Sequence, residues 1–326
     1  MRTVSVTAPA RLHLGFLDMT GSGERRFGSV GLALDGPDVE LSVRRAPSFS
    51  IAGPQAERAG QFVNAFRKTF NLPDDFQLTI DRTIAEHVGL GSGTQLGIAI
   101  GAALAKLYRL DLSIREIAVV VQRGQRSGIG AGAFEFGGFL VDGGKGASDE
   151  PPPIVSRIEF PADWRVLLVL ERSNRGLHGE HEMAAFRKLP PFPDTLAGRL
   201  CRLMLMQALP ALAERDSESF GNAIGELQRV TGDYFSPAQG GRFASPAVAQ
   251  VLAWIESQGI AGVGQSSWGP TGFAIVGGAD RADELARAAQ SRWGAAGQLQ
   301  FTVCGGRNRG GEIGYVQSAA ASAGLS

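Results

Sequence analysis

The stretch Gly89-Leu90-Gly91-Ser92-Gly93-Thr94-Gln95 runs straight into a segment, Gln95 to Tyr108, that is apolar on nearly every side. A helix that is hydrophobic all round has to be buried, so its start is fixed inside the fold. The first N–H groups of such a helix lack intrahelical partners, and the dipole places partial positive charge there. Glycines let an anion approach that backbone. The stretch therefore predicts a phosphate-binding loop made by Gly89, Gly91, Ser92, Gly93, Thr94 and Gln95, with the Ser92 and Thr94 hydroxyls available to phosphate or to a metal ion's water. It lacks the Lys-Ser/Thr of a Walker loop and the spacing of a dinucleotide fingerprint. An ordinary tight helix entry would look the same in isolation, so the rest of the chain has to decide.

Strands are expected at Val4 to Val6, Ser29 to Leu34, Val39 to Val43 and Phe76 to Ile80, and a helix at Ala59 to Phe70. Ser113 caps a helix running to Arg123, with Glu116 completing a capping box. Strands follow at Gly137 to Val141 and Arg165 to Leu170. Between them lies Asp142 to Pro153, whose Gly143-Gly144 and Pro151-Pro152-Pro153 interrupt regular structure. Helices at Leu196 to Ala213, Ser217 to Thr231 and Pro246 to Gln258 then give way to a strand at Gly272 to Val276, a helix from Asp280 to Trp293 and a strand at Leu299 to Val303. A chain of 326 residues, 44% of them hydrophobic, exceeds what one core usually organises. The expected class is α+β in two domains, 1–160 and 161–326, the first carrying the phosphate loop.

The 32 basic and 32 acidic residues balance, which excludes a long-range field drawing in nucleic acid or an anionic membrane; an anion site has to be local. No segment reads as long enough to span a bilayer. The start lacks the apolar run of a secretory signal, and Cys201 and Cys304 are too few for a disulfide framework, so a reducing cytoplasm is expected.

Two more clusters accompany the loop. Pro9-Ala10-Arg11-Leu12-His13-Leu14-Gly15-Phe16 places Arg11 and His13 on one face of an extended segment. Gly262 to Phe273, containing Gly264, Ser266 and Ser267, precedes a strand and reads either as a segment closing over the ligand or as a hairpin loop. In this order and spacing, the three clusters resemble the GHMP small-molecule kinase superfamily. Within it, Ala10 to Asp18, Arg25-Arg26-Phe27-Gly28-Ser29-Val30-Gly31 and the unbroken Gly89 to Gln95 are similar to the β-ribofuranosylaminobenzene 5′-phosphate synthase family. The resemblance implies a two-domain fold with a ferredoxin-like C-terminal domain. It also implies a reaction of phosphoribosyl pyrophosphate with 4-aminobenzoate that expels pyrophosphate and carbon dioxide in methanopterin-type cofactor biosynthesis, with Mg²⁺ and a possible homodimer.

One departure bears on mechanism. Ser127 to Gly138 resembles the segment in which mevalonate-type kinases carry an aspartate base, but Gly130 stands at that position. Glu135 could compensate or bind the other substrate. The candidate catalytic groups are Arg26, His13, Glu135 and His178. Candidate substrate contacts are Arg11, Asp18, Arg25, Arg126, Arg175, Gly264, Ser266 and Ser267, with Arg123 and Ser127 as further phosphate candidates. Arg25 and Arg26 suit a bidentate grip on a carboxylate or phosphate. Arg172 to Glu182 packs His178, His181 and two glutamates together, favouring a ligand or acid/base role over zinc, for want of a distant third ligand. Metal ligands stay open. An ATP-dependent kinase and a non-catalytic ligand sensor are the competing readings.

Overall fold

Alternation of apolar and polar residues from Val4 to Ala8 makes a half-buried strand, and from Leu12 to Leu17 the same strand is buried on both faces. The computed structural model describes residues 2–19, 24–172, 189–295 and 297–317. In it, β1 (Arg2–Asp18) and β2 (Phe27–Arg45) form one long antiparallel pair. The two strands expected at 29–34 and 39–43 are therefore parts of a single β2.

Further strands β3 (Ser50–Ala52), β4 (Phe76–Arg82), β5 (Phe139–Asp142) and β6 (Ile154–Ile158) extend this sheet. Its main path runs from a C-terminal strand, β11 (Glu312–Gln317), through β1, β2 and β4 to β3, with β5 on β2 and β6 on β5. β11 (Glu312–Gln317) follows the glycine-rich tail and returns to pair with β1, from Arg2 opposite Gln317 to Thr7 opposite Glu312. Against this sheet lie α1 (Ala56–Phe70), α2 (Ser92–Tyr108), α3 (Ile114–Val120) and α4 (Ile129–Glu135). α2 buries every residue from Gln95 to Ala105, as its composition demands. The capping box at α3 is present, Ser113 Oγ accepting from Glu116 N and Glu116 Oε2 from Ser113 N.

The second sheet holds β7 (Trp164–Glu171), β8 (Val263–Gln265), β9 (Gly272–Gly277) and β10 (Leu299–Cys304) in the order β10-β7-β9-β8. Each neighbouring pair is antiparallel. With helices between β7 and β8 and one between β9 and β10, this is the ferredoxin-like arrangement. The helices are α5 (Asp194–Leu203), α6 (Leu209–Glu214), α7 (Ser217–Gln239), α8 (Pro246–Ser257) and α9 (Ala279–Trp293), with one π turn at Met204–Ala208 joining α5 to α6. Val248, Val251 and Leu252 of α8 and Leu285 of α9 pack on Leu167, Val169 and Ala274.

The continuous helix from 194 to 214 corrects one expectation. At 21 residues and mean hydropathy 1.2 it is long and apolar enough, by length and composition alone, to cross a membrane. Its Leu200, Met204, Ala208 and Leu212 are instead buried in the protein core, and Arg199 pairs with Glu226 of α7.

Candidate active site

α2 begins at Ser92 behind Gly91, whose φ of 85° admits glycine readily, and no side chain caps this end. The residues at its start, Ser92, Gly93 and Thr94, line a cavity of about 150 Å³ together with Gly89 and Gly91. β1 holds the loop from one side: Arg11 N donates to Leu90 O at 3.1 Å and Arg11 Nη1 to Gly89 O at 2.6 Å. The β8–β9 turn holds it from the other, Ser266 Oγ donating to Gly89 O at 2.7 Å. The turn is a hairpin and packs against the loop.

Arg11, Arg58 and Arg123 line the same cavity. Arg58 pairs with Glu86 at 2.9 Å. Arg123 lies over the Phe62 ring, 5.3 Å from its centroid, and its Nε is buried without a hydrogen-bond partner. Among the described residues no carboxylate pairs with it; burial first, then the charge of Arg58, lower its pKa. An adjoining cavity of about 270 Å³ shares Arg11, Thr94, Arg123 and Ser267 and adds His13, Phe16, Arg126, Ser127 and Gly130. Among the described residues no carboxylate lines either cavity. Among the described residues no group of three His, Cys, Asp or Glu is placed to hold a metal ion.

His13 is fixed through its backbone, its N donating to Ser266 Oγ at 3.0 Å and its O accepting from Ser267 N at 3.1 Å. Burial, then the charges of Arg11 and Arg126, lower its pKa from 6.5 to about 3. The folded state therefore binds fewer protons here than the unfolded chain, so this stability is full above pH 6.5 and lost as pH falls toward 3. Between pH 7 and pH 5 the loss amounts to about 2 kcal/mol. Urea titrations at both pH values should show His13→Gln losing about that much less than the wild type over the interval. Equal losses would mean that burial does not hold the imidazole neutral.

Asp142 went unrecognised in the sequence. Its buried carboxylate accepts from Ser29 N (3.0 Å), Gly144 N (2.9 Å) and Gly128 N (2.8 Å), tying the segment that enters α4 to the sheet. Burial raises its pKa, against those hydrogen bonds. Arg58, His87 and Trp268 line the loop cavity and were also missed.

Several expected site residues lie elsewhere. Gln95 points inward, its Nε2 donating to Gly130 O at 2.8 Å, because it faces the core side of α2. Arg25 is engaged by the carbonyls of Gly143 and Gly144, and exposed Arg26 bridges Lys145 through its backbone. Glu135 ends α4 in an exposed position, with its backbone against Gly310. Asp18 lies one strand alternation beyond Phe16, and neither cavity is lined by it. Gly264 makes room for the Gln228 side chain, and Ser266 acts as the clamp described above, whereas Ser267 lines both cavities. Arg175 and His178 lie outside the described residues.

Residues 57–138 match the GHMP kinases N terminal domain, and residues 208–295 the GHMP kinases C terminal domain. The fold is likewise that of a homoserine kinase from Cytophaga hutchinsonii, with a TM-score of 0.69 at 15% identity over 95% of this chain and 97% of that one. A mevalonate diphosphate decarboxylase from Staphylococcus aureus aligns with a TM-score of 0.67 at 15% identity, over 96% of this chain and 98% of that one. Fold and paired domains thus define a GHMP-fold protein.

Curated relatives narrow this. β-Ribofuranosylphenol 5′-phosphate synthase from Archaeoglobus fulgidus is 32% identical over 318 residues, 94% of this chain and 97% of the relative. The enzyme of that name from Methanothermobacter thermautotrophicus is 29% identical over 327 residues, with the same coverages. The chain belongs to the β-ribofuranosylphenol 5′-phosphate synthase family.

Proposed function

We propose that this enzyme joins the anomeric carbon of phosphoribosyl pyrophosphate to the ring carbon of a para-substituted benzoate, releasing pyrophosphate and carbon dioxide. The observation that carries the reading is the loop cavity, where Arg11, Arg58 and Arg123 line a glycine-rich helix start and, among the described residues, no carboxylate joins the lining. Such a site suits a pyrophosphate whose charge grows as it leaves. As the C1′–O bond breaks, its electron pair goes to pyrophosphate and the ring carbon bearing the carboxylate bonds to C1′. The bond to the departing carbon dioxide then returns its pair to the ring, and no net proton moves. Positioning and charge stabilisation are what the protein has to supply.

The kinase reading is disfavoured at Gly130. A Cβ there would lie 2.6 Å from Thr94 Cγ2, so a carboxylate base in that wall would require the Thr94 side chain to move. Magnesium enters the proposal as a companion of the substrate's own phosphates, with the Ser92 and Thr94 hydroxyls in the same cavity.

The family resemblance implies 4-aminobenzoate as acceptor, whereas the relatives' name carries a phenol; the two acceptors differ only in the para substituent. Methanopterin-type cofactor biosynthesis in the cytoplasm is the setting that goes with either.

The test is incubation with Mg²⁺, phosphoribosyl pyrophosphate and carboxyl-labelled 4-aminobenzoate or 4-hydroxybenzoate. Carbon dioxide and pyrophosphate should appear in equal amounts with at least one acceptor. Release from neither, with ATP consumed on an alcohol, would replace this reading with the kinase.

A further inference from the structure

Beside the larger cavity, and sharing His13 and Phe16 with it, a small slot holds two buried polar groups that the described residues leave unanswered. His13 is 4% exposed and Thr231 7%. Among the described residues, neither imidazole nitrogen of His13 nor Oγ1 of Thr231 has a hydrogen-bond partner. Both line one narrow slot of about 10 Å³, walled by Phe16, Phe235 and Trp268. The rings pack closely, His13 on Phe16 at 4.5 Å and Phe235 on Trp268 at 4.2 Å between centroids. His13 comes from β1 and Thr231 from α7, so both halves of the chain build the slot.

Neighbouring amides do not answer these groups. The Gln228 side chain donates to Leu14 O and accepts from Gln265 N, and Gln265 Oε1 accepts from Ala244 N. An imidazole and a hydroxyl buried without partners in an aromatic wall are unfavourable for the protein alone. They become favourable once a ligand supplies the missing partner.

The slot's size says what that ligand part can be. About 10 Å³ is room for one water-sized group and not for a ring. His13 also lines the 270 Å³ cavity, where a ring fits. In a para-substituted benzoate the para group points directly away from the carbon bearing the carboxylate. That carbon has to face the anomeric centre, on the side of the phosphate loop. The para group is then aimed away from the loop, toward the slot.

We propose that His13 and Thr231 form the subsite for the para substituent of the aromatic acceptor, with His13 accepting a hydrogen bond from its N–H or O–H. This rests on the condensation proposed above. As the ring carbon bonds to C1′, positive charge develops on the para heteroatom and its hydrogen bond to His13 strengthens. When the carbon dioxide bond returns its electron pair to the ring, that charge is quenched and the proton stays on the heteroatom. His13 thus assists the ring as a nucleophile and selects acceptors that carry a para donor.

Calorimetric binding of 4-aminobenzoate, 4-hydroxybenzoate and 4-methylbenzoate to the full chain, with pyrophosphate present, tests the subsite. The wild type should bind at least one of the two donors about tenfold or more tightly than the methyl compound. His13→Phe should abolish that preference while leaving pyrophosphate affinity within about threefold, and His13→Asn, which keeps an acceptor, should restore part of it. Thr231→Val, a second and milder variant, should weaken the preference several-fold. A wild type without preference, a His13→Phe protein that keeps it, or pyrophosphate affinity falling in step would each overturn the subsite. Carbon dioxide release separates the two proposals. Preference without release leaves the subsite and removes the condensation, and release without preference does the reverse.

Discussion

Gly89→Ala should lower stability by about 2–4 kcal/mol and turnover of phosphoribosyl pyrophosphate by more than about 100-fold. Gly89 has φ +85°, and a Cβ there would collide with the carbonyl oxygen of Ser266 and lie 3.2 Å from that of Gly269. Both obstacles are backbone, which cannot swing aside as a side chain would. Relief requires the β8–β9 turn to back away, and with it go the Ser266 hydrogen bonds to Gly89 O and His13 N. The loop, the imidazole and the two-domain contact therefore loosen together.

Gly93→Ala is the contrasting variant. Its Cβ would meet the guanidinium of Arg58, with Cζ at 3.0 Å, and a flexible arginine can move. Stability should stay within about 1 kcal/mol of the wild type while turnover falls about tenfold, because only a phosphate contact is displaced. Urea titration and the carbon dioxide assay read both quantities. If the two variants lose equal stability, closure of the turn on Gly89 is not what holds the loop.

The contrast also shows which parts of the molecule were legible in the sequence. The glycine-rich loop leading into α2 was, because glycine spacing and a helix apolar on all sides each signal their own burial. Arg11 and His13 were, because alternation in an extended segment puts them on one face whatever the sheet around them. Arg58 was not: in α1 it reads as an ordinary cation on an amphipathic helix, and only the packing of α1 beside α2 brings it to Gly93. Gln95 was misplaced because loop proximity was taken over helical phase, which turns it toward Gly130. Arg25 and Arg26 matched a family-like stretch, but Arg25 has nearby carbonyl acceptors that the sequence did not reveal. The return of β11 to β1 is a pairing across nearly the whole chain, and no local pattern announces such a partner. Asp142 left a faint trace, a lone carboxylate between a strand and Gly143-Gly144, a composition common to many turns.

Replacing Arg123 with glutamine should weaken pyrophosphate binding about 10- to 100-fold and leave the unliganded protein as stable as before or about 0.5–1 kcal/mol more so. In the free enzyme Arg123 is a partly buried cation with an unpartnered Nε, no carboxylate beside it among the described residues and the charge of Arg58 nearby. Burial and like charge both disfavour it, so removing the charge relieves the folded state. On the proposed reaction the phosphates would offset this arrangement, so stability and affinity should move in opposite directions. Thermal melts with and without pyrophosphate make the comparison directly, since a ligand stabilises in proportion to its binding free energy. The wild type should gain clearly more from saturating pyrophosphate than Arg123→Gln, and the gap should shrink as ionic strength rises and screens the pair. Affinity within twofold of the wild type would show that the arginine cluster does not bind the leaving group, and would move the pyrophosphate away from the loop at Gly89 to Thr94.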